Sequence, residues 1–433
     1  MMTDAILALG LLFTTASQLR IANLPVGPGE LALLLWIAAV SARHFMARGP
    51  LRSPAVFALL GFWGVFAVAL SLGMLMAMAM REDFEPDLVL HDAVAYVLAA
   101  AFSCLAAAET LLRLRRVCWI LVIAGALSML LQLANGVGLY QLDAVDPWYW
   151  ERLRGWSDNP NQLSVICLVL TLLAWYLADS AANTGARIAA LGLMIPPLVG
   201  GRLSGSDTFV LALTVSFLVW VVLKLAVYAR NESRKSLLRA SFATITLAAL
   251  PVLALSAVPF ALTRAEELKN FMIGFAKNGG QEAAAEADLR MDLWKQAVTR
   301  GVSSAMLGLG PGPHLEIPPS IVAGRVSEKD QPEKVAHPTQ NGTANFEAHN
   351  TLLDVFTQGG MLAVGSMLWL LIRAIKCAFR AQAAALATLL TGVATFMMTG
   401  NIARQPIFWF AVVLCLTARN ESPNKRVVVN SYA

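Results

Sequence analysis

Charged side chains are scarce. Asp, Glu, Lys and Arg make up 14% of the 433 residues, against roughly a quarter in soluble domains. With 57% hydrophobic residues and a mean hydropathy of +0.62, the chain is not a soluble enzyme with one anchor but a polytopic membrane protein. Cysteine is also sparse. Cys104, Cys118, Cys167, Cys377 and Cys415 all fall within apolar runs and form no Cys-x-x-Cys pair, which excludes a disulfide framework and a thiolate metal site. They read as small core residues. No internal repeat or low-complexity tract is evident. After Met1-Met2-Thr3-Asp4 there is no basic n-region, so the first apolar run reads as a retained span.

What is present is a succession of apolar runs of roughly 15–25 residues, long enough to cross a bilayer as helices. Twelve are expected, at about 5–19, 27–43, 54–80, 88–108, 117–137, 161–179, 187–201, 207–228, 240–262, 350–372, 381–399 and 405–418. The formal charge of +5 is a topology signal rather than a sign of nucleic acid. With the N-terminus inside, the inner loops carry Arg43, Arg48 and Arg52, then Arg113, Arg115 and Arg116, and later Arg373, Lys376 and Arg380. The short outer loops carry fewer basic residues, and one is acidic, with Glu82, Asp83, Glu85 and Asp87. That asymmetry predicts both termini in the cytoplasm.

Three outer segments stand apart. The first, about 138–160, holds Trp148-Tyr149-Trp150 and ends at Asn159-Pro160-Asn161; the second is Gly200 to Thr208; the third is the loop from about 263 to 349. A loop of that length in a compact protein is expected to carry function. Within it, Glu282 to Val298 has Leu289, Leu293, Trp294 and Ala297 on one face, an amphipathic helix suited to the membrane–water boundary. Gly308-Leu309-Gly310-Pro311-Gly312-Pro313 reads as turn. Asp158 or Asn159 before Pro160, Ser206 or Asp207, and Asn350 or Thr351 are expected helix N-caps. Gln405-Pro406 opens the last span. Helix N-termini with partial positive charge would thus gather on one membrane face. The short seventh span, with Pro196-Pro197, is the expected broken helix beside them.

Outer arginines Arg154, Arg202, Arg290 and Arg404 suit a di-anionic group such as a pyrophosphate, because a guanidinium bonds phosphate oxygens in a planar fork. Snorkelling to lipid headgroups is the competing explanation for each. Among the histidines, His91 can pair with Asp92, while His314 and His337 read as solvated loop residues. His349 differs: positions 349, 353, 356 and 360 share one face of the following helix, placing an imidazole at the head of a packed span where it can accept a proton. The first outer loop offers only Glu30 and no carboxylate pair. A reaction without metal or other cofactor is therefore expected, with arginine supplying charge stabilisation.

His349-Asn350-x-x-Leu353 with Gly360 beyond it resembles the signature of the O-antigen ligase and polymerase superfamily. In the same order come Arg154-Gly155, Asn159-Pro160-Asn161, Ser204-Gly205-Ser206, Arg290-x-x-x-Trp294-x-x-Ala297 and the glycine-rich 308–312 stretch. The resemblance covers about 150 to 370. It implies an all-α membrane fold of the GT-C type with one large periplasmic loop, in the bacterial inner membrane. The implied activity is inverting transfer of a glycan from undecaprenyl pyrophosphate to lipid A–core, or to a second lipid-linked glycan in a polymerase. By position, His349 would be the general base and Arg290 would bind the donor pyrophosphate. Asn161, Asn350 and Trp294 would belong to the substrate-binding site. Where the family carries an arginine after the serine that opens the eighth span, this chain has Asp207, so Arg202 or Arg154 is expected to supply the second positive charge. Asp207 is left to cap a helix or orient Arg290. The chain then divides into spans 1–262, a periplasmic loop 263–349, and a closing set of spans with a tail, 350–433. A lipid-linked glycan transporter is the alternative of another class. It predicts charges at mid-membrane depth, where almost none lie.

Overall fold

The computed structural model describes residues 1–20, 26–47, 53–82, 85–143, 145–149, 151–230, 281–316 and 347–418, with backbone alone for 226–230 and 281–289. The expected ninth span at 240–262, His337 and Trp150 lie outside the described residues. The rest is helical apart from one short hairpin, Trp148–Tyr149 (β1) with Arg152–Leu153 (β2), antiparallel and paired Trp148 to Leu153.

The helices are α1 (Met2–Phe13), α2 (Pro28–Ala47), α3 (Pro54–Met80), α4 (Pro86–Ala107), α5 (Leu111–Gly136), α6 (Pro160–Asp179), α7 (Thr184–Leu193), α8 (Ile195–Leu203), α9 (Asp207–Arg230), α10 (Gln281–Ser303), α11 (Thr351–Arg380), α12 (Ala384–Phe396) and α13 (Pro406–Thr417). Lipid offers no partner to a backbone N–H or C=O, so spanning segments close their hydrogen bonds internally as helices. Among the described residues, eight segments are long and apolar enough to cross a membrane, α7 and α8 together counting as one. The protein is a multi-pass, all-α membrane protein. The expected spans at 5–19, 381–399 and 405–418 appear as shorter helices, α1, α12 and α13.

One of these lies at the centre of the bundle. Helix α13 is buried along its entire length, and its 12 residues reach only about 18 Å. It is a central post walled in by neighbouring helices, and α6 is nearly as enclosed. Between helices already in lipid, close packing rather than escape from water holds the bundle. The Trp409 ring lies 4.4 Å from that of Trp63 and 5.3 Å from that of Phe62, centroid to centroid. Its Nε1–H donates to the Ala403 carbonyl at 2.7 Å.

Polar contacts collect at the two ends. At one end Arg113 binds Asp4 at 2.6 Å and Glu109 at 3.0 Å, Arg43 binds Glu109, and Lys224 binds Asp179. At the other end are the hairpin, the starts of α6, α9 and α11, and the 397–405 connection.

The seventh span is interrupted beside its proline pair, dividing at Met194 into α7 and α8. Met194, between α7 and α8, keeps helical dihedrals (φ −73, ψ −26), so the two run on as one interrupted rod. A second break, in α11, falls at Gly360 (φ 62, ψ −161). The freed carbonyls of Thr357 and Gln358 accept from the N–H groups of Leu309 (2.7 Å) and Gly310 (2.8 Å), and the N–H of Met361 donates to Met306 O at 3.0 Å. The segment after α10 is thereby stitched into the gap, giving these three backbone groups freed by the kink partners outside the helix. A Cβ at position 360 would stand 1.9 Å from the Met306 carbonyl oxygen, and one at Gly73 of α3 would stand 2.4 Å from that of Gln358. The glycines of the 308–312 stretch and of Gly359-Gly360 thus have a shared structural use: three backbones cross here in contact.

Candidate functional site

The site is built at the head of α11. Asn350 caps the helix, its Oδ1 accepting from the N–H groups of Leu352 (3.1 Å) and Leu353 (3.3 Å), while its Nδ2 donates to Met398 O at 3.2 Å. Thr351 donates its N–H to Met397 O at 2.8 Å and its hydroxyl to Gly400 O at 2.6 Å. The helix start is therefore fastened to the connection after α12. Immediately before the cap, His349 sits in the left-handed region at φ 50, a conformation unfavourable for a residue with a Cβ.

The side chain of His349 is open to solvent although protein crowds it. That crowding is the larger cause lowering its pKa from the ordinary histidine value, and the positive charge of Arg290 acts in the same direction. The Glu347 carboxylate opposes both. At neutral pH the imidazole is thus held in the neutral, proton-accepting form.

Arg290 reaches this place because α10 docks on α11. Leu293 and Ala297 are buried together with Leu315 and Ala348, with Trp294 and Leu353 packed against them. Gly301 admits the Phe356 ring, which would meet a Cβ there at 2.1 Å. The face of α11 expected at 349, 353, 356 and 360 is this docking face. The amphipathic helix expected over 282–298 therefore buries Leu293 and Ala297 in protein rather than against lipid. Met291, Val298 and Val302 remain exposed on it. Trp294 donates Nε1–H to Ala348 O at 3.1 Å, so its described contact is with the backbone beside His349.

The other arginines are placed differently. Arg404 is clasped between Asp92 of α4 and Glu347, and those carboxylates keep it firmly protonated. Asp92 also meets His91 at 3.2 Å, as the sequence allows. Arg154 is turned to the exposed Asp146 at 2.7 Å. Arg202, in the last turn of α8, is half-buried and its Nε makes no hydrogen bond. The expected serine cap of α9 is absent, since the buried Ser206 Oγ has no partner; Asp207 is the first residue of that helix. Asn161 lies in the first turn of α6, whose Asn159 cap accepts its N–H at 2.8 Å. Its Oδ1 accepts from Arg152 at 3.0 Å.

Arg152, Glu347 and Asp354 were not singled out by sequence. Arg152 projects from the hairpin to the Ser204 carbonyl at 2.9 Å as well as to Asn161, tying the second outer segment to the first. Gln358, next to the kink, accepts from the Tyr96 hydroxyl at 2.7 Å and donates to Gly312 O at 3.1 Å. An acidic residue in the first helical turn, Asp354, is a visible signal in retrospect. His314 is a correction to the expectation of a solvated loop residue. It is buried, its Nε2 lies 2.8 Å from Gly310 O, and burial pushes its pKa down, because the glycine-rich segment is embedded rather than draped outside.

Residues 189–370 match the family model described as O-antigen ligase. The match spans less than half of the chain. It includes Arg202, Asp207, Arg290, Trp294, His349 and Asn350, and stops short of Arg154 and Asn161. That stretch is therefore similar to the O-antigen ligase family. No curated protein and no solved structure matches the chain.

Proposed function

We propose that this chain, with its O-antigen ligase-type domain, transfers a glycan from undecaprenyl pyrophosphate to an acceptor at the periplasmic face of the bacterial inner membrane. Ligation to lipid A–core is the leading acceptor reaction. The observation that carries the reading is the pairing at the head of α11: a neutral, accessible His349 under the positive charge of Arg290. In the reaction the acceptor hydroxyl oxygen attacks the anomeric carbon and the bond from that carbon to the pyrophosphate oxygen breaks. The leaving group departs as undecaprenyl pyrophosphate with the bonding electron pair. His349 takes the hydroxyl proton, and Arg290 meets the charge that grows on the departing oxygen. Attack opposite the leaving group inverts the anomeric centre. The charged groups described sit toward the two ends of the bundle, which suits a surface reaction better than a transport path through the middle.

The test is turnover of the purified full chain in nanodiscs. An undecaprenyl-pyrophosphate-linked O-antigen and lipid A–core are supplied, and released undecaprenyl pyrophosphate is measured together with glycosylated lipid A. His349→Ala is expected to lower kcat by about 10²–10⁴-fold. Full turnover in that variant sinks the assignment. A product containing only elongated lipid-linked glycan replaces ligation by polymerisation.

A further inference from the structure

The turn that carries His349 is held from both sides, and one of the groups holding it is an acid with no other described task. Ala348, wholly buried, donates its N–H to Asp354 Oδ1 at 2.7 Å and accepts from Trp294 Nε1 at 3.1 Å. On the far side of His349, Asn350 and Thr351 are fastened to α11 itself and to residues 397–400. Left alone, a histidine relaxes out of the left-handed region. Here the residues on either side of it are fastened to three separate elements, α10, α11 and the 397–400 connection, and φ 50 is retained.

Asp354 is the member that reaches back across the cap. Its residue is only 4% exposed. The second carboxylate oxygen, Oδ2, is buried with no hydrogen-bond partner. A buried acid with one oxygen unpaired is unfavourable in a helix that begins at the membrane edge, so the contact made by Oδ1 has to offset it.

We propose that Asp354 is a positioning residue for His349. By accepting the Ala348 N–H it fixes the left-handed turn that aims the imidazole at the acceptor hydroxyl, and Trp294 completes the clamp from α10. The inference rests on the reading of His349 as the base. Asp354 touches neither donor nor acceptor. Its effect falls on the rate of the proton-accepting step and leaves substrate affinity in place.

The experiment compares Asp354→Ala, Asp354→Asn and His349→Ala in full-length protein in nanodiscs, with released undecaprenyl pyrophosphate as readout. Thermal unfolding of each variant is recorded beside it. Asp354→Ala is expected to lower kcat about ten- to a hundredfold, the scale of a misaimed catalytic group, with KM for the lipid-linked donor unchanged. Asp354→Asn keeps an oxygen for the Ala348 N–H and is expected to recover most of that loss. A rise in KM with kcat intact, or no recovery in a folded Asn variant, overturns the positioning role. So does wild-type kcat in Asp354→Ala. If His349→Ala itself turns over normally, the underlying assignment fails instead, and the two failures are told apart.

Discussion

Arg290 and His349 lie more than fifty positions apart in sequence, yet the guanidinium is close enough to lower the imidazole's pKa. The docking of α10 on α11 makes that coupling. Glu347, two residues before His349, acts in the opposite sense.

Those opposed influences predict opposite shifts. Arg290→Gln removes a charge that disfavours the imidazolium, so the acid limb of the kcat/KM profile, which reports the base in the free enzyme, is expected to move to higher pH. Glu347→Gln removes a charge that favours it and is expected to move the limb to lower pH. Rate profiles from about pH 5 to 8 with the same lipid-linked donor check both. Shifts of the same sign in the two variants refute this electrostatic account.

Gly360 carries a backbone demand that other residues meet poorly. Gly360→Ala places a Cβ against the Met306 carbonyl oxygen at a left-handed φ. Destabilisation of more than about 2 kcal/mol is expected, seen as a lower melting temperature in detergent. The segment from Met306 to Gly310 should also become open to proteolysis. An unchanged melting temperature means that the crossing has room to relax.

The pairing of Arg404 with Asp92 is testable by a double-mutant cycle. Asp92 is buried to 1% exposure, so Arg404→Gln leaves a carboxylate without its cation. The expected loss is about 3–5 kcal/mol. Adding Asp92→Asn should restore a good part of it. Additive losses in the double variant show that the two side chains act independently.

His314 predicts a pH dependence of stability. Its pKa in the folded chain is depressed by burial, whereas the unfolded chain titrates near an ordinary value of about 6.5. Below that value the unfolded state binds the extra proton, so stability is complete above it and falls as pH drops toward the folded pKa. His349 contributes in the same direction. Melting curves from pH 8 down to 5 should show a decline, shallower in His314→Gln. An identical slope in the two proteins discounts His314.

The sequence by itself determined that the chain is a multi-pass helical membrane protein, where several helices begin, and that His349 stands at the head of one of them. Those features are local. A run of apolar residues fixes a span because lipid leaves the backbone no other partner, and Asn159-Pro160 or His349-Asn350 fixes a start because a cap acts within three residues. Tertiary structure alone decided where the tenth span kinks, what the glycine-rich segment is for, and how Arg290 is brought to His349. The proline pair at 196–197 marks the interruption between α7 and α8, whereas the sharper kink at Gly360 depends on a neighbouring backbone that accepts and donates to the groups it frees. By residue type alone Arg154 and Arg404 looked as eligible as Arg290, which only the family resemblance singled out. They are set apart by Asp146, Asp92 and Glu347, carboxylates that folding brings to them from other parts of the chain. Charge strength is written in a residue's type, but its availability depends on neighbours that only the packed bundle supplies.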